Sequence, residues 1–208
     1  SLASTWESLL ETSGASGAAA ACIFLTFSYV ATWWRTFGDG HDLRVLVARD
    51  ATDRVIGIAP MMIRQGRRLM GRRLRYLTFI GYGREPQSEY MDYIVSPDYS
   101  EIATRALTDA IFSMGRGDWH FLRLPMIEQR SLVARALEQR VGSASKLRVV
   151  ERELAPYVLL RGSWDEVLAE RPQKLRTNIR SSIKKANANP GFTVLKAPVD
   201  ISIKEAVD

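Results

Sequence analysis

At 208 residues, with 46% hydrophobic and 25% charged positions, the chain has the composition of a globular protein holding one domain and part of another. A single cysteine, Cys22, excludes an intramolecular disulfide and a cysteine-based zinc site, and His41 and His120 are too far apart in sequence to suggest a metal centre. The net charge of +6 points to anionic partners, while no apolar run reaches the ~20 residues of a membrane span, so the sequence predicts a cytoplasmic protein.

In chain order, the first segment, STWESLLETSG, predicts a short helix with Ser4 or Thr5 as its N-cap and Gly14 past its end. A small-residue connection, SGASGAAAA, follows. The apolar run Ala18–Ala31 has the length of a signal-peptide core, but no positive charge precedes it. Ser28 is the expected cap of a second helix, YVATWWRTF, in which Tyr29, Trp33 and Phe37 recur every fourth residue and share a core-facing side. Three strands come next: Leu43–Asp50, Arg54–Arg64 and Arg73–Gly81. Tight turns join them into an antiparallel meander, and Pro60 predicts a bulge or a locally unpaired position in the middle strand.

After the loop YGREPQSE, the run Tyr90–Val95 reads as a short strand. A helix then starts at Ser96-Pro97-Asp98 and runs to about Gly115, with Ile102, Ala106, Leu107, Ala110 and Ile111 expected on its inner side. Trp119–Pro125 predicts a strand, and Ser131–Gly142 a helix capped by Ser131 with Gly142 at its C-terminal stop. KLRVVERE and PYVLL predict two more strands. A meander followed by alternation gives a mixed α/β fold, one mixed sheet with helices on both faces.

From Ser163 the character changes. SWDEVLAE carries a capping box between Ser163 and Glu166, and Gln173–Asn187 reads as a basic amphipathic helix. Its apolar stripe is Leu175, Ile179, Ile183 and Ala186; Arg176, Arg180 and Lys184 form a parallel basic stripe. Asn189-Pro190-Gly191 stops the helix, and FTVLKAP predicts a strand whose sheet partners would have to follow it. The expected organisation is a first domain over residues 1–161, a helical segment over 162–190, and the start of a second, truncated domain over 191–208.

Two basic clusters stand out: six arginines between Arg64 and Arg75, and six basic residues between Arg171 and Lys185. Phosphates, nucleotide sugars, nucleic acid and membrane headgroups are all chemically suited to them; a solvated hairpin and helix face are the plain alternative. Against nucleic acid, no aromatic residues are interleaved with the arginines as a single-strand platform requires. Arg68-Leu69-Met70-Gly71 resembles half of an RxxGxG/A pyrophosphate turn, but it falls in a strand-turn-strand hairpin and not at a helix N-terminus. No nucleophile elbow or Walker loop is present.

The loop Gly81–Tyr93 holds the best set of chemical groups. Glu89 and Asp92 are candidate general bases, with Arg84, Tyr90 and Tyr93 as candidate substrate contacts for a hydroxyl- or amine-bearing molecule. The alternative is a structural turn whose tyrosines pack and whose Asp92 satisfies backbone amides.

The succession Trp6-x-x-Leu9-Leu10, YVATWWRTFG, LVARD…RVIGIAPMMI and FIG…YMDYIV resembles the N-terminal half of bacterial GNAT-superfamily acyltransferases of the CelD/BcsL type, which carry a BioF2-like acetyltransferase domain. The stretch from Ser163 to Val194 resembles that family's crossing into a second GNAT-like domain. The FemABX transferases are similar there, with a K-x-R-x-N-I-(R/K) helix, here Lys174–Arg180. The resemblance implies acyl transfer from acetyl-CoA or another acyl-CoA to an amine or hydroxyl of a cell-envelope or polysaccharide precursor. It implies that the second domain holds the donor and the first positions the acceptor. On that reading this chain alone is inactive and binds no acyl-CoA tightly. Lys174, Arg176, Asn178 and Arg180 then either face an anionic substrate in an interdomain cleft or pair with acidic residues of the second domain. A degenerate, non-catalytic binding module is the competing function, and an uncovered Leu175-Ile179-Ile183 stripe makes a homodimer possible.

Overall fold

The computed structural model describes residues 1–13, 22–83, 87–114, 117–141 and 162–189, with isolated positions at 154, 156, 159, 160, 191, 193, 195, 199 and 202. The chain divides into two compact units, Ser1–Arg148 and Val149–Asp208. The strands expected from KLRVVERE, PYVLL and FTVLKAP, and the residues Arg84, Gly14 and Gly142, lie wholly or largely outside the described residues.

Within the first unit, helix α1 (Leu2–Thr12) starts earlier than the sequence suggests, because Ser1 and not Ser4 is its cap: the two serines close a reciprocal capping box. Helix α2 (Phe27–Phe37) is likewise capped two residues upstream of Ser28, by Thr26, whose hydroxyl accepts from Tyr29 N–H at 3.2 Å. Trp33 is buried, with Tyr29 and Phe37 packed against the core, as the four-residue spacing predicts. Trp6 ties α1 to the turn before α2 through Nε1–H to the Leu25 carbonyl at 2.8 Å.

Strands β1 (Asp42–Arg49), β2 (Val55–Leu69) and β3 (Arg72–Phe79) form the predicted antiparallel meander. The β1–β2 turn is organised by Asp50, whose carboxylate accepts from Thr52 N–H, Thr52 hydroxyl and Arg54 N–H. The hydroxyl bond, foremost, holds its carboxyl below the ordinary range. Strand β4 (Ile94–Val95) is antiparallel to β2, and β5 (Phe121–Leu122) is parallel to β3, completing a five-stranded mixed sheet. Ile58, Ala59, Met61, Met62 and Ile63 are all fully buried, so β2 is covered on both faces and reads as an unbroken apolar run.

Pro60 makes no bulge against β1; it pairs directly with Val45. It is instead the unpaired position of the second alternative, on the other side. Its carbonyl accepts from Ile80 N–H at 2.9 Å, and in an antiparallel pair the return bond would come from the N–H that proline lacks. The β3 ladder ends there. Pairing resumes two residues back along β2, where Ile58 meets Ile94 and Gly57 meets Val95. β3 and β4 therefore occupy the same edge of β2, and thirteen residues separate Ile80 from Ile94, the length of a compact Ω-loop.

Helix α3 (Ser100–Ser113) packs over β1 and β2 through Ala103, Leu107 and Ile111. Gly57 lets it approach: a Cβ there would lie 3.1 Å from the Ala103 methyl. The expected inner side was rotated by one position, since Ile102 is 63% exposed and Ala106 and Ala110 face outward. The buried set keeps strict i, i+4, i+8 spacing from Ala103, and Thr108, not a second apolar residue, fills the flank. Helix α4 (Leu132–Val141) begins after Ser131, whose hydroxyl accepts from Ala134 N–H at 3.1 Å.

In the second unit, α5 (Trp164–Ala169) has the predicted Ser163–Glu166 capping box, and those bonds hold the Glu166 carboxyl below its ordinary range. Helix α6 (Gln173–Asn187) has no buried residue; Leu175 and Ile183 are exposed.

Candidate functional site

The looped-out segment between β3 and β4 contains the predicted site residues, and its anchors come from several directions. At its entry Gly81 adopts φ +99°, closed by Ser88 N–H to the Gly81 carbonyl at 2.8 Å. Ser88 is buried and its hydroxyl meets the Tyr29 hydroxyl of α2 at 3.2 Å. The Cys22 thiol donates to the Glu89 carbonyl at 3.4 Å. Burial pushes that thiol's pKa up, so Cys22 is a packing residue and not a ready thiolate.

On the other side the loop is joined to the segment that follows β5. The parallel pairing of β3 and β5 ends with Arg123 N–H to the Leu77 carbonyl at 2.9 Å. Past that point the Arg123 guanidinium lies over the Tyr82 ring at 5.1 Å, and Tyr90 N–H donates to the Met126 carbonyl at 2.8 Å. Tyr90 and Met126 both hold positive φ, +56° and +51°. Two non-glycine residues in that region, joined by one hydrogen bond, mark a strained contact that the surrounding packing maintains. The Arg64 guanidinium, from β2, donates to the Tyr82 carbonyl.

The two candidate carboxylates have different surroundings. Asp92 is 4% exposed, and its oxygens accept from three backbone amides: Tyr93 and Val133 on Oδ1 at 2.8 and 2.9 Å, and Leu132 on Oδ2 at 2.7 Å. Burial raises its pKa against the opposing pull of those amides. Asp92 thus caps α4 from across the fold, the structural alternative raised by the sequence. Glu89 is half-buried, and among the described residues no donor bonds to its carboxylate.

Tyr93 is buried at the base of the loop. The Thr108 hydroxyl gives its proton to the Thr104 carbonyl, so Tyr93 is the donor in its 3.4 Å contact with Thr108. Burial pushes the Tyr93 hydroxyl up to about 12. Tyr90 is half-buried beside Glu89.

The remaining predicted contacts belong to α6 of the second unit. Lys174, Asn178 and Arg180 are exposed there, whereas Arg176 is half-buried and donates from Nη1 to the Ala169 carbonyl at 2.9 Å, closing the C-terminus of α5. Residues that sequence reasoning missed are Tyr82, Arg123, Ser88 and Tyr29. Only Tyr82 and Ser88 were findable, as members of the loop; Arg123 and Tyr29 arrive through tertiary contacts.

A pyrophosphate-bearing donor does not fit these residues. The α4 N-terminus is filled by the Asp92 carboxylate and the Ser131 hydroxyl, and α3 opens behind Asp98 with Glu101 in its first turn. Arg68–Gly71 is the tip of an exposed β-hairpin. Among the described residues no group of three or more His, Cys, Asp or Glu could hold a metal ion, and no helix is long and apolar enough to cross a membrane.

No protein-family model matches the chain, and no curated protein matches it. Among solved structures, a crystal structure of a Trypanosoma brucei acetyltransferase aligns with a TM-score of 0.39 at 17% identity, covering 73% of this chain and 94% of that one.

Proposed function

We propose that this chain is the acceptor-positioning part of a GNAT-like acyltransferase, related to the CelD/BcsL and FemABX types, with the acyl-CoA held by another domain. The observation that carries it is the division of labour between the two loop carboxylates. Asp92 closes the helix terminus where a phosphate would otherwise sit, while Glu89 stands beside Tyr90 with its oxygens available to an incoming N–H or O–H. Glu89 is the candidate base for an amine or hydroxyl acceptor, and Tyr82 and Tyr90 its candidate ring contacts. Sugars stack on such rings, which supports a polysaccharide or cell-envelope precursor as the acceptor class. On this reading Lys174, Asn178 and Arg180 of α6 serve the anionic part of the acceptor or the second domain. The apolar stripe of the same helix would be covered by that domain or by a second copy of the chain.

The test is a titration of the chain, followed by NMR, with UDP-glucose and separately with acetyl-CoA, alongside an assay for thiol release. Shifts at Tyr82, Glu89 and Tyr90 with the nucleotide sugar, lost in Glu89→Gln, are expected, without thiol release. Micromolar binding of acetyl-CoA at the first turn of α4 would overturn the assignment of the donor elsewhere. Binding of neither ligand would favour the non-catalytic module.

A further inference from the structure

The β2–β3 hairpin outruns the sheet that carries it. Ile63 is the last β2 residue with a partner on β1, and Tyr76 is the first β3 residue with a partner on β5. His120 still holds the Arg75 backbone, donating its N–H to the Arg75 carbonyl at 2.8 Å and accepting the Arg75 N–H on Nδ1 at 2.9 Å. Beyond it, residues 65–74 extend as a two-stranded ribbon with no further strand beside it, about 17 Å long at ~3.4 Å per residue. The six arginines of Arg64–Arg75 divide into two groups. Arg64 turns inward to the Tyr82 carbonyl and Arg75 pairs with Asp42 at 2.6 Å. Arg67, Arg68, Arg72 and Arg73 are exposed around the tip, and among the described residues none of the four is ion-paired; Arg73 donates only to Gln65 Oε1.

The tip is apolar. Leu69 is 60% exposed and Met70 is 96% exposed. Met70 at φ +48° and Gly71 at φ +82° form the two central positions of a primed turn, where Asn-Gly is the favoured pair. A large apolar side chain therefore stands at the farthest point of the ribbon, in a backbone conformation that favours a smaller, polar residue. Local folding does not account for it.

We propose that this hairpin docks the protein on an anionic phospholipid surface. Leu69 and Met70 enter the boundary between headgroups and acyl chains, and the four arginines hold lipid phosphates around them. An apolar tip inside a cationic collar matches the depth order of such a surface. Against a single-stranded nucleic acid, the ribbon presents no aromatic platform for bases: Tyr76, at its base, is stacked on Phe121.

The experiment is co-sedimentation of the 208-residue chain with phosphatidylcholine vesicles, with and without about 30% phosphatidylserine, at about 0.1 M salt. Binding is expected to the anionic vesicles only. Replacing Arg67, Arg68, Arg72 and Arg73 by Gln should weaken it by about fivefold per arginine. Leu69→Ser with Met70→Ser should weaken it by about tenfold or more. Met70→Asn suits the turn better, so it removes the outermost apolar side chain while keeping the hairpin, and it should still bind more weakly than the parent. Equal binding to neutral and anionic vesicles, or binding to neither, overturns the proposal. So does undiminished binding of the tip variants, which would leave only a polycation. Tighter binding to a DNA duplex at the same salt, whether or not the tip variants weaken it, would make the ribbon a nucleic-acid contact instead.

Discussion

The Asp92 carboxylate and the Val133 amide, 41 residues apart in the chain, meet at 2.9 Å inside the core. With Leu132 N–H on the other oxygen and Ala134 N–H on Ser131, the first three orphan amides of α4 are all satisfied. The carboxylate also sits at the positive end of the helix dipole. One side chain thus fixes the end of the site loop and the start of a helix together. Asp92→Ala leaves three amides, those of Tyr93, Leu132 and Val133, without their acceptor and should destabilise the protein by about 2–4 kcal/mol. Asp92→Asn keeps one acceptor and should cost about half as much. Denaturant unfolding measures both, and an Asp92→Ala protein as stable as the parent would remove the cap from the account.

The same group predicts a pH dependence. Its folded pKa lies above the ordinary 3.8 because burial outweighs the amide bonds. Between 3.8 and that raised value the folded state binds more protons than the unfolded one, so this group's contribution falls as pH rises through the window. Asp92→Asn should flatten that slope. A slope unchanged by the substitution would assign it to other carboxylates.

Tyr93 acts at the alkaline end. With its hydroxyl raised from 10.0 to about 12, it ionises in the unfolded chain before it does so in the folded one. Its contribution is complete below pH 10 and is lost as pH climbs toward 12, by about 2–3 kcal/mol in all. Tyr93→Phe should abolish that loss while costing little at pH 7, because its contact with Thr108 is long, at 3.4 Å. Unfolding curves at pH 8 and pH 11 for the two proteins decide it.

At the loop entry, Gly81→Ala meets two obstacles. Its φ of +99° disfavours any Cβ, and that Cβ would lie 1.7 Å from the Ser88 hydroxyl oxygen. The expected loss is about 2–4 kcal/mol, with the loop displaced. Adding Ser88→Gly removes the clash but not the backbone strain, so the double variant should recover part of the loss. Strict additivity of the two substitutions would show that Ser88 is not the obstacle.

The meander, the helix positions and the two capping serines, Ser131 and Ser163, were legible because each rests on local chemistry: alternation, spacing and a side chain reaching three residues ahead. The extent of α3's buried face was not, because Ile102 is as apolar as Ile111 and only the sheet beneath decides which one turns inward. The β-branched and aromatic residues of Tyr90–Val95 suit a strand over its whole length. Only Ile94 and Val95 pair, since Tyr90 is drawn into positive φ by its bond to Met126, a contact no local pattern announces. For Asp92 the sequence left base and amide acceptor equally open. The choice depends on a helix start 40 residues away.

Pro60 is the local feature with the widest consequence, and it gives a prediction about topology. It faces Ile80, whose carbonyl receives no bond back because proline has no N–H. Pro60→Ala restores that donor and should add one rung to the β2–β3 ladder. The new hydrogen bond is worth about 0.5–1.5 kcal/mol. The unfolded chain gains freedom worth about 0.4–1 kcal/mol when proline is lost. The two nearly cancel, so overall stability should change little. Hydrogen exchange is the sensitive measurement: the amide at position 60 should be protected as strongly as its neighbours in β2. A rapidly exchanging amide there would mean that β3 leaves the sheet for another reason, and that the loop carrying Glu89 is not released by the proline.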